Sequence, residues 1–223
     1  MQHNLLFSTA LATLLLTGNL LPTRRVSEAP VKSTIRLNVA KATTYTVDPE
    51  QSTISWNAKK VTGEHNGIVK LAKGQLSLEG SKLTGGTFVA DMASLRDVDK
   101  GDTSPFNERL VTHLRSEDFF GVEKYPTSTF RITSVKPIAG AKVGEPNYSV
   151  SGELTIKNTT KPQTFPATVN LVGSAVQATA KLSVNRLDYD IKYRAAIIGT
   201  AANKIIDDTF ALDLKIMATK TPL

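Results

Sequence analysis

From residue 148 to 156 the apolar and small residues fall on every second position: Tyr148, Val150, Gly152, Leu154 and Ile156. A period of two puts these side chains on one face of an extended strand and their polar neighbours on the other. The same pattern returns three more times. Asn158-Thr159-Thr160-Lys161-Pro162 reads as a turn, after which Phe165, Ala167, Val169 and Leu171 share a face. Val176, Ala178, Ala180, Leu182 and Val184 form another, with Arg186 in phase, and Phe210, Leu212, Leu214 and Ile216 form the last. One apolar and one polar face per strand is what an antiparallel sheet packed on a single side requires. Strands of nine to twelve residues rise roughly 30–40 Å before tilt. That is long for a sandwich and suits a tall barrel. The expected fold is all-β, an antiparallel β-barrel of about eight strands, with a short helix and a long loop near residues 95–120.

The first half of this domain is less regular. Tyr45-Thr46-Val47 reads as a strand that Asp48-Pro49-Glu50 turns. Ile54, Trp56 and Ala58 then share a phase, and Lys60 lies in it. Lys60 has two readings: a rim residue that keeps its ammonium in water over an apolar stem, or a cation for an anionic head group. Residues 61–67 read as a loop or bulge in which Gly63 and Gly67 permit positive φ. His65 is there either at a pocket mouth or in solvent. Residues 68–71 and 75–78 read as two short strands around Lys73-Gly74, residues 80–86 as a turn, and Phe88, Ala90 and Met92 as an inward face. Asp97-Val98-Asp99-Lys100-Gly101-Asp102 resembles a calcium loop but lacks the full ligand ladder and closing glutamate. It is read as ordinary loop, and no metal site is expected. Residues 107–115 read as a helix that brings His113 and Arg115 to the barrel entrance. Beyond it Ser116 can cap a turn, Phe119 and Phe120 supply an apolar anchor, and Gly121 suits a left-handed end. Pro126 keeps Tyr125 extended, and a strand with Phe130 and Ile132 in phase follows.

Three segments carry a resemblance. His113-Leu114-Arg115-Ser116-Glu117-Asp118-Phe119-Phe120, with Tyr125-Pro126 and Phe130 after it, is the first. Gly152-Glu153-Leu154-Thr155-Ile156 with Thr160-Lys161-Pro162 is the second, and Asn185-Arg186-Leu187-Asp188-Tyr189 the third. In this order they resemble the YceI-like, polyisoprenoid-binding family over about residues 45–218. The chain departs from that family at Lys60, where histidine is frequent, and at Leu110-Val111, where an Arg-Asp pair is usual. The resemblance implies a lipocalin-like barrel holding a long isoprenoid or related lipid. The residues expected to meet the ligand are Trp56, Lys60, His65, His113, Arg115, Phe119, Arg186 and Tyr189. Small residues on the inward faces (Ala58, Ala90, Gly152, Ala167, Ala178, Ala180) leave room for such a ligand, unless they face large partners and pack solid. A buried Arg186 must meet a carboxylate, backbone carbonyls or an anionic ligand. It is either fixed by an acid such as Asp188 or Asp190, or a bidentate clamp for a phosphate or quinone oxygen.

Other function classes find little support. Of three histidines one, His3, lies near the N-terminus, and no pair has metal-ligand spacing. No Gly-x-Ser-x-Gly elbow occurs, and there are no cysteines. Without residues 1–42 the chain holds 22 basic and 19 acidic residues, a net charge of about +3. That is no nucleic-acid footprint. The apolar run from Leu5 to Leu16 has the length of a signal-peptide core and is too short to span a bilayer. Residues 1–42 are therefore expected to be a cleaved signal peptide, or else an uncleaved anchor or flexible leader. Residues 43–223 form the barrel domain, in a periplasmic or secreted protein. The expected function is a non-catalytic carrier of an isoprenoid lipid or isoprenoid quinone, with no cofactor beyond that ligand. Transient membrane contact and a monomer or homodimer go with it. The alternatives are a solid-core β domain for protein–protein interaction and an enzyme on the same barrel.

Overall fold

A computed structural model describes residues 42–99 and 104–222. The expected leader, apart from its last residue, lies outside the described residues, as do Lys100, Gly101 and Asp102 of the acidic loop. The strands are β1 (Thr43–Val47), β2 (Thr53–Lys60), β3 (Gly63–Glu79), β4 (Lys82–Asp97), β5 (Thr127–Pro137), β6 (Tyr148–Ile156), β7 (Thr159–Val172), β8 (Ala175–Asn185) and β9 (Ile206–Lys220). The helix α1 (Pro105–Arg115) lies between β4 and β5. From β2 to β9 each strand pairs antiparallel with the next, and β9 pairs back with β2. The result is a closed antiparallel ring of eight staves with one short helix, as the alternation predicted.

The ninth strand adds no stave. β1 pairs with β3 from Thr43↔Leu78 to Thr46↔Gln75, and with β9 from Tyr45↔Lys220 to Val47↔Ala218. These are also the neighbours of β2, so β1 and β2 lie in line in a single slot. The expected turn at Asp48-Pro49-Glu50 is instead an excursion without reversal. Asp48 Oδ1 accepts the Glu50 and Gln51 amides at 3.0 and 3.2 Å. The Asp48 amide donates to Met217 O at 2.8 Å, and Ser52 Oγ accepts the Met217 amide at 3.0 Å. The side chains of Asp48 and Ser52 thus take up the backbone groups that the break would strand.

The two short strands expected at 68–71 and 75–78 are one strand, β3. Gly67, Val69 and Leu71 point inward, and then Gly74, Leu76 and Leu78 do. The phase slips by one because Leu71 pairs with Ala90 while Lys73 pairs with Val89, leaving Ala72 as an extra residue. A bulge of this kind bends a strand without ending it. Similarly, the 61–67 loop shrinks to a two-residue hairpin, since Lys60 pairs with Gly63. The 80–86 turn shrinks to Gly80-Ser81, since Glu79 pairs with Lys82. The 158–162 turn is Lys157-Asn158, both left-handed at φ 52° and 66°, as a tight two-residue hairpin demands.

The two ends of the ring differ. At one end Leu78, Val176 and Ala218 are fully buried among Tyr45, Val47, Leu83 and Tyr148. This end is a packed base. The other end is roofed by α1, the turn 116–125 and the segment 186–206. Ser104 caps α1, its Oγ accepting the Phe106 amide at 3.3 Å, and Pro105 opens it, so the helix starts two residues before the expected 107. Ser116 closes α1 with its hydroxyl, Oγ donating to His113 O at 2.8 Å, while its carbonyl opens the next turn by accepting the Phe119 and Gly121 amides at 3.1 and 2.8 Å. Gly121 ends the following turn at φ 54°.

One glycine of β3 is set by contact. A Cβ on Gly67 would lie 1.9 Å from Arg96 O and 2.3 Å from Trp56 Cζ2. Gly67→Ala is expected to destabilise the barrel by about 1–3 kcal/mol, the usual cost of forcing bulk into packed structure. Trp56 is the single tryptophan, so a urea melt followed by its fluorescence checks both the loss and its location.

Candidate functional site

Between base and roof lies a cavity of about 220 Å³. One water needs roughly 10–15 Å³, so this is no packing defect. Phe88, Phe130, Ile132, Ala178, Ala180 and Leu182 contribute to its wall, and all six are only partly buried. Their remaining exposure is to the cavity, and the solid-core alternative fails on it. The lining is apolar except for Ser128, Thr129, Thr179, Arg186, Asp207 and Thr209. All of these but Thr179 lie at the roofed end, on the first residues of β5 and β9 and beside the end of β8. Thr129, Thr179, Asp207 and Thr209 are exposed and alternate with inward Ser128, Phe130, Ala178, Ala180, Ile206 and Phe210, so their side chains point away from the cavity and its surface is almost wholly apolar.

Three of the residues singled out in the sequence line it: Trp56, Phe119 and Arg186. Trp56 is buried, and its Nε1 has no hydrogen-bond partner. Phe119 belongs to an aromatic knot in the roof, 5.1 Å from the His113 ring centroid and 5.2 Å from that of Tyr193. Arg186 is 4% exposed. It leaves the ladder of β8 for a 3-10 turn, Arg186–Tyr189, capped by Asn185 Oδ1 accepting the Leu187 amide at 3.0 Å. Its guanidinium donates through Nε to Asp207 O (2.8 Å), through Nη1 to Ile191 O (2.7 Å) and Tyr193 O (3.0 Å), and through Nη2 to Ile206 O (2.9 Å). The nearest carboxylate is Asp208, at 3.6 Å, rather than Asp188 or Asp190. Burial lowers the guanidinium's pKa, and the charges of Asp208 and Asp207 oppose that shift. Arg186 thus ties both ends of the 186–206 segment together through backbone carbonyls.

The other five frame the roof without lining the cavity. Lys60 ends β2 at a register shift, paired with Gly63 and Ile206. His65 Nδ1 meets Asp99 Oδ2 at 2.7 Å. His113 Nε2 meets Asp118 Oδ2 at 2.9 Å, and its ring stands edge-on to Tyr193 at 4.6 Å. Arg115 donates through Nη2 to Ala93 O (2.6 Å) and Leu95 O (2.9 Å), which fastens the end of α1 to β4. Tyr189 is fully buried beside Val184 and Ile191. Its hydroxyl accepts from Gln163 Nε2 at 3.3 Å, and burial raises its pKa. Asp207 and Thr209 were missed by sequence reasoning. Their signal is the Asp207-Asp208-Thr209 run just ahead of the alternation from Phe210. The β9 residues there are displaced from the ladder, with Ala58 facing Phe210 and Lys60 facing Ile206.

Among the described residues no helix is long and apolar enough to cross a membrane. A UPF0312 protein of Pseudomonas putida (strain W619) is 39% identical over 88 residues, 36% of this chain and 42% of that protein. A UPF0312 protein of Photorhabdus laumondii subsp. laumondii is 36% identical over 102 residues, 46% of this chain and 43% of that protein. The matched stretches span less than half the length of these relatives. Among solved structures, Burkholderia cenocepacia BcnA superposes with a TM-score of 0.60 at 22% identity, covering 78% of this chain and 99% of that one. A polyisoprenoid binding domain from Saccharophagus degradans, implicated in plant cell wall breakdown, gives 0.56 at 15% identity, covering 79% and 98%. At these identities the likeness is one of fold. The YceI-like domain family matches residues 45–218, from within β1 to near the end of β9. The chain belongs to the YceI-like domain family.

Proposed function

We propose that the barrel is a non-catalytic carrier for a long-chain isoprenoid lipid or isoprenoid quinone. The observation that carries this is the cavity itself, enclosed by the ring and almost wholly apolar. A long hydrocarbon tail matches such a lining. The related fold of a polyisoprenoid binding domain from Saccharophagus degradans supports the reading. The lining also favours one kind of head. Arg186, the one cation among the lining residues, spends four hydrogen bonds on backbone carbonyls and faces Asp208. A phosphate there would meet a committed cation and little else that is polar. A neutral head, a hydroxyl or quinone carbonyl within reach of Ser128, needs no free cation.

Loading at a membrane fits the same geometry. Val61, Ile197 and Ile198 are exposed on the hairpin and the segment at the roofed end, and Lys192, Arg194 and Lys204 share that segment. With the apolar leader, this supports a periplasmic or secreted carrier that touches membranes transiently.

Native mass spectrometry of the protein purified from its own host, followed by solvent extraction, tests the proposal. A bound mass of prenyl-lipid size that disappears on extraction is expected. An apo mass, with no uptake of added prenyl alcohols or isoprenoid quinones, sinks it.

A further inference from the structure

We propose that His65, Asp97 and Asp99 form a binding site for a divalent transition-metal ion at the roofed end, joining β3 to the end of β4. One ligand atom from each residue lies within 4.8 Å of the other two. His65 Nδ1 stands 2.7 Å from Asp99 Oδ2 and 3.6 Å from Asp97 Oδ2. Ligands held about 2.0–2.2 Å from a common ion sit roughly 3.0–3.5 Å from one another. An ion therefore fits with a small opening of the His65–Asp99 contact.

The independent sign that a cation belongs here is Asp97. Its side chain is fully buried, and Oδ2 has no hydrogen-bond partner. A buried carboxylate oxygen left unpaired is costly, and native structures rarely tolerate one without a reason. Among the described residues no lysine or arginine pairs with Asp97 or Asp99; His65 is their one basic contact. The remaining oxygens are already committed. Asp97 Oδ1 accepts the Asp99 amide at 3.0 Å, and Asp99 Oδ1 accepts the Asn66 amide at 2.8 Å and Asn66 Nδ2 at 3.3 Å. These outer contacts aim both Oδ2 atoms at the imidazole, as the second shell of a metal site does. Burial raises the pKa of Asp97, and the charge of Asp99 adds to the rise. Burial also acts to raise Asp99, but the hydrogen bonds from His65 and Asn66 outweigh it and leave that carboxyl below its ordinary value.

The donor set selects the ion. Calcium takes six to eight oxygens, and an imidazole nitrogen is foreign to it. One imidazole with two carboxylates suits a first-row ion such as zinc, with water completing the shell. The calcium-like look of 97–102 thus has another basis. Two of its aspartates converge on a histidine from β3, 32 residues earlier in the chain than Asp97. The site touches the roof. Asp97 O accepts from Asn107 Nδ2 of α1 at 3.1 Å, and the Phe106 ring lies 6.1 Å from that of His65. Binding would stiffen the seat of the helix that covers the cavity.

The experiment titrates the EDTA-treated full chain with Zn²⁺ by calorimetry and with Co²⁺ by visible absorption. About one equivalent is expected to bind with micromolar or tighter affinity. Asp97→Asn and His65→Ala should each weaken binding more than about tenfold. His113→Ala, at the exposed His113–Asp118 pair, should leave it unchanged. Far-UV dichroism confirms that each variant is folded. Should His65→Ala not fold, the near-isosteric Asp97→Asn and the Co²⁺ spectrum of the unaltered chain decide. Zn²⁺ should also raise the melting temperature of the unaltered chain and leave that of Asp97→Asn where it was. No stoichiometric uptake of Zn²⁺ or Co²⁺, or uptake indifferent to Asp97→Asn, overturns the proposal.

Discussion

Replacing Arg186 by methionine is expected to cost the protein about 3–5 kcal/mol, the range seen when one partner of a buried charged network is removed. Four carbonyls, those of Ile191, Tyr193, Ile206 and Asp207, lose their donor together. Each buried acceptor left bare costs about 1–3 kcal/mol. The 186–206 segment lies at one end of the ring, so it can open and give those carbonyls to water. That route caps the loss below the sum and makes the roof melt before the staves. At about 2–4 °C per kcal/mol for a domain of this size, the melting temperature should fall by roughly 6–20 °C. Amide hydrogen exchange should rise first in 186–206. Arg186→Lys should recover little, because an ammonium on a flexible stem cannot reproduce the planar fork. The competing role, a clamp on the ligand's head, makes the opposite forecast: unchanged melting with lost binding. A melt and a ligand titration on the same variant separate the two.

Filling the cavity should have a large effect of the other kind. Ala180 lines it from β8, between Ala167 of β7 and Leu214 of β9. In a solid core, Ala180→Phe would cost about 1–3 kcal/mol in overpacking. In this barrel the ring enters open space, and the urea midpoint should hardly move. Ligand uptake should collapse instead. A phenyl ring that excludes three methylenes of a bound tail removes about 2.4 kcal/mol at ~0.8 kcal/mol per methylene, close to a fiftyfold loss of affinity. Displacement of a fluorescent fatty acid reads this without knowledge of the natural lipid. Weakened folding with intact uptake would mean that the space is not where the ligand sits.

The alternation along β6 to β9 made the ring legible, because each of these strands keeps one phase from end to end. β3 was not legible as one strand. Its inward residues change from odd to even numbers at Ala72, and a one-residue slip looks like a chain break when only periodicity is visible. The slot shared by β1 and β2 was hidden for a related reason: Asp48-Pro49-Glu50 carries turn chemistry, yet the chain leaves the ladder and returns without reversing. Arg186 was recognisable as a buried cation by its phase. Its partners were not, because they are main-chain oxygens, which every residue possesses. The His65–Asp97–Asp99 cluster depends on strand register, Gly67 opposite Asp97, and no local pattern encodes that pairing.

Closing the ring by its first and last strands has a consequence for how the chain is made. β9 is the stave between β8 and the β1–β2 slot, and of the nine strands it is made last. Until then the nascent sheet carries two unpaired edges beside an apolar interior, the arrangement most open to pairing with a foreign strand. The final stitch, Thr221 N–H to Thr44 O at 3.0 Å and Thr46 Oγ1 to Thr221 Oγ1 at 2.8 Å, spans about 175 residues. Contacts so distant in sequence form slowly. Closure thus waits for the last-made strand, and a chaperone that shields edges would meet this chain before β9 docks.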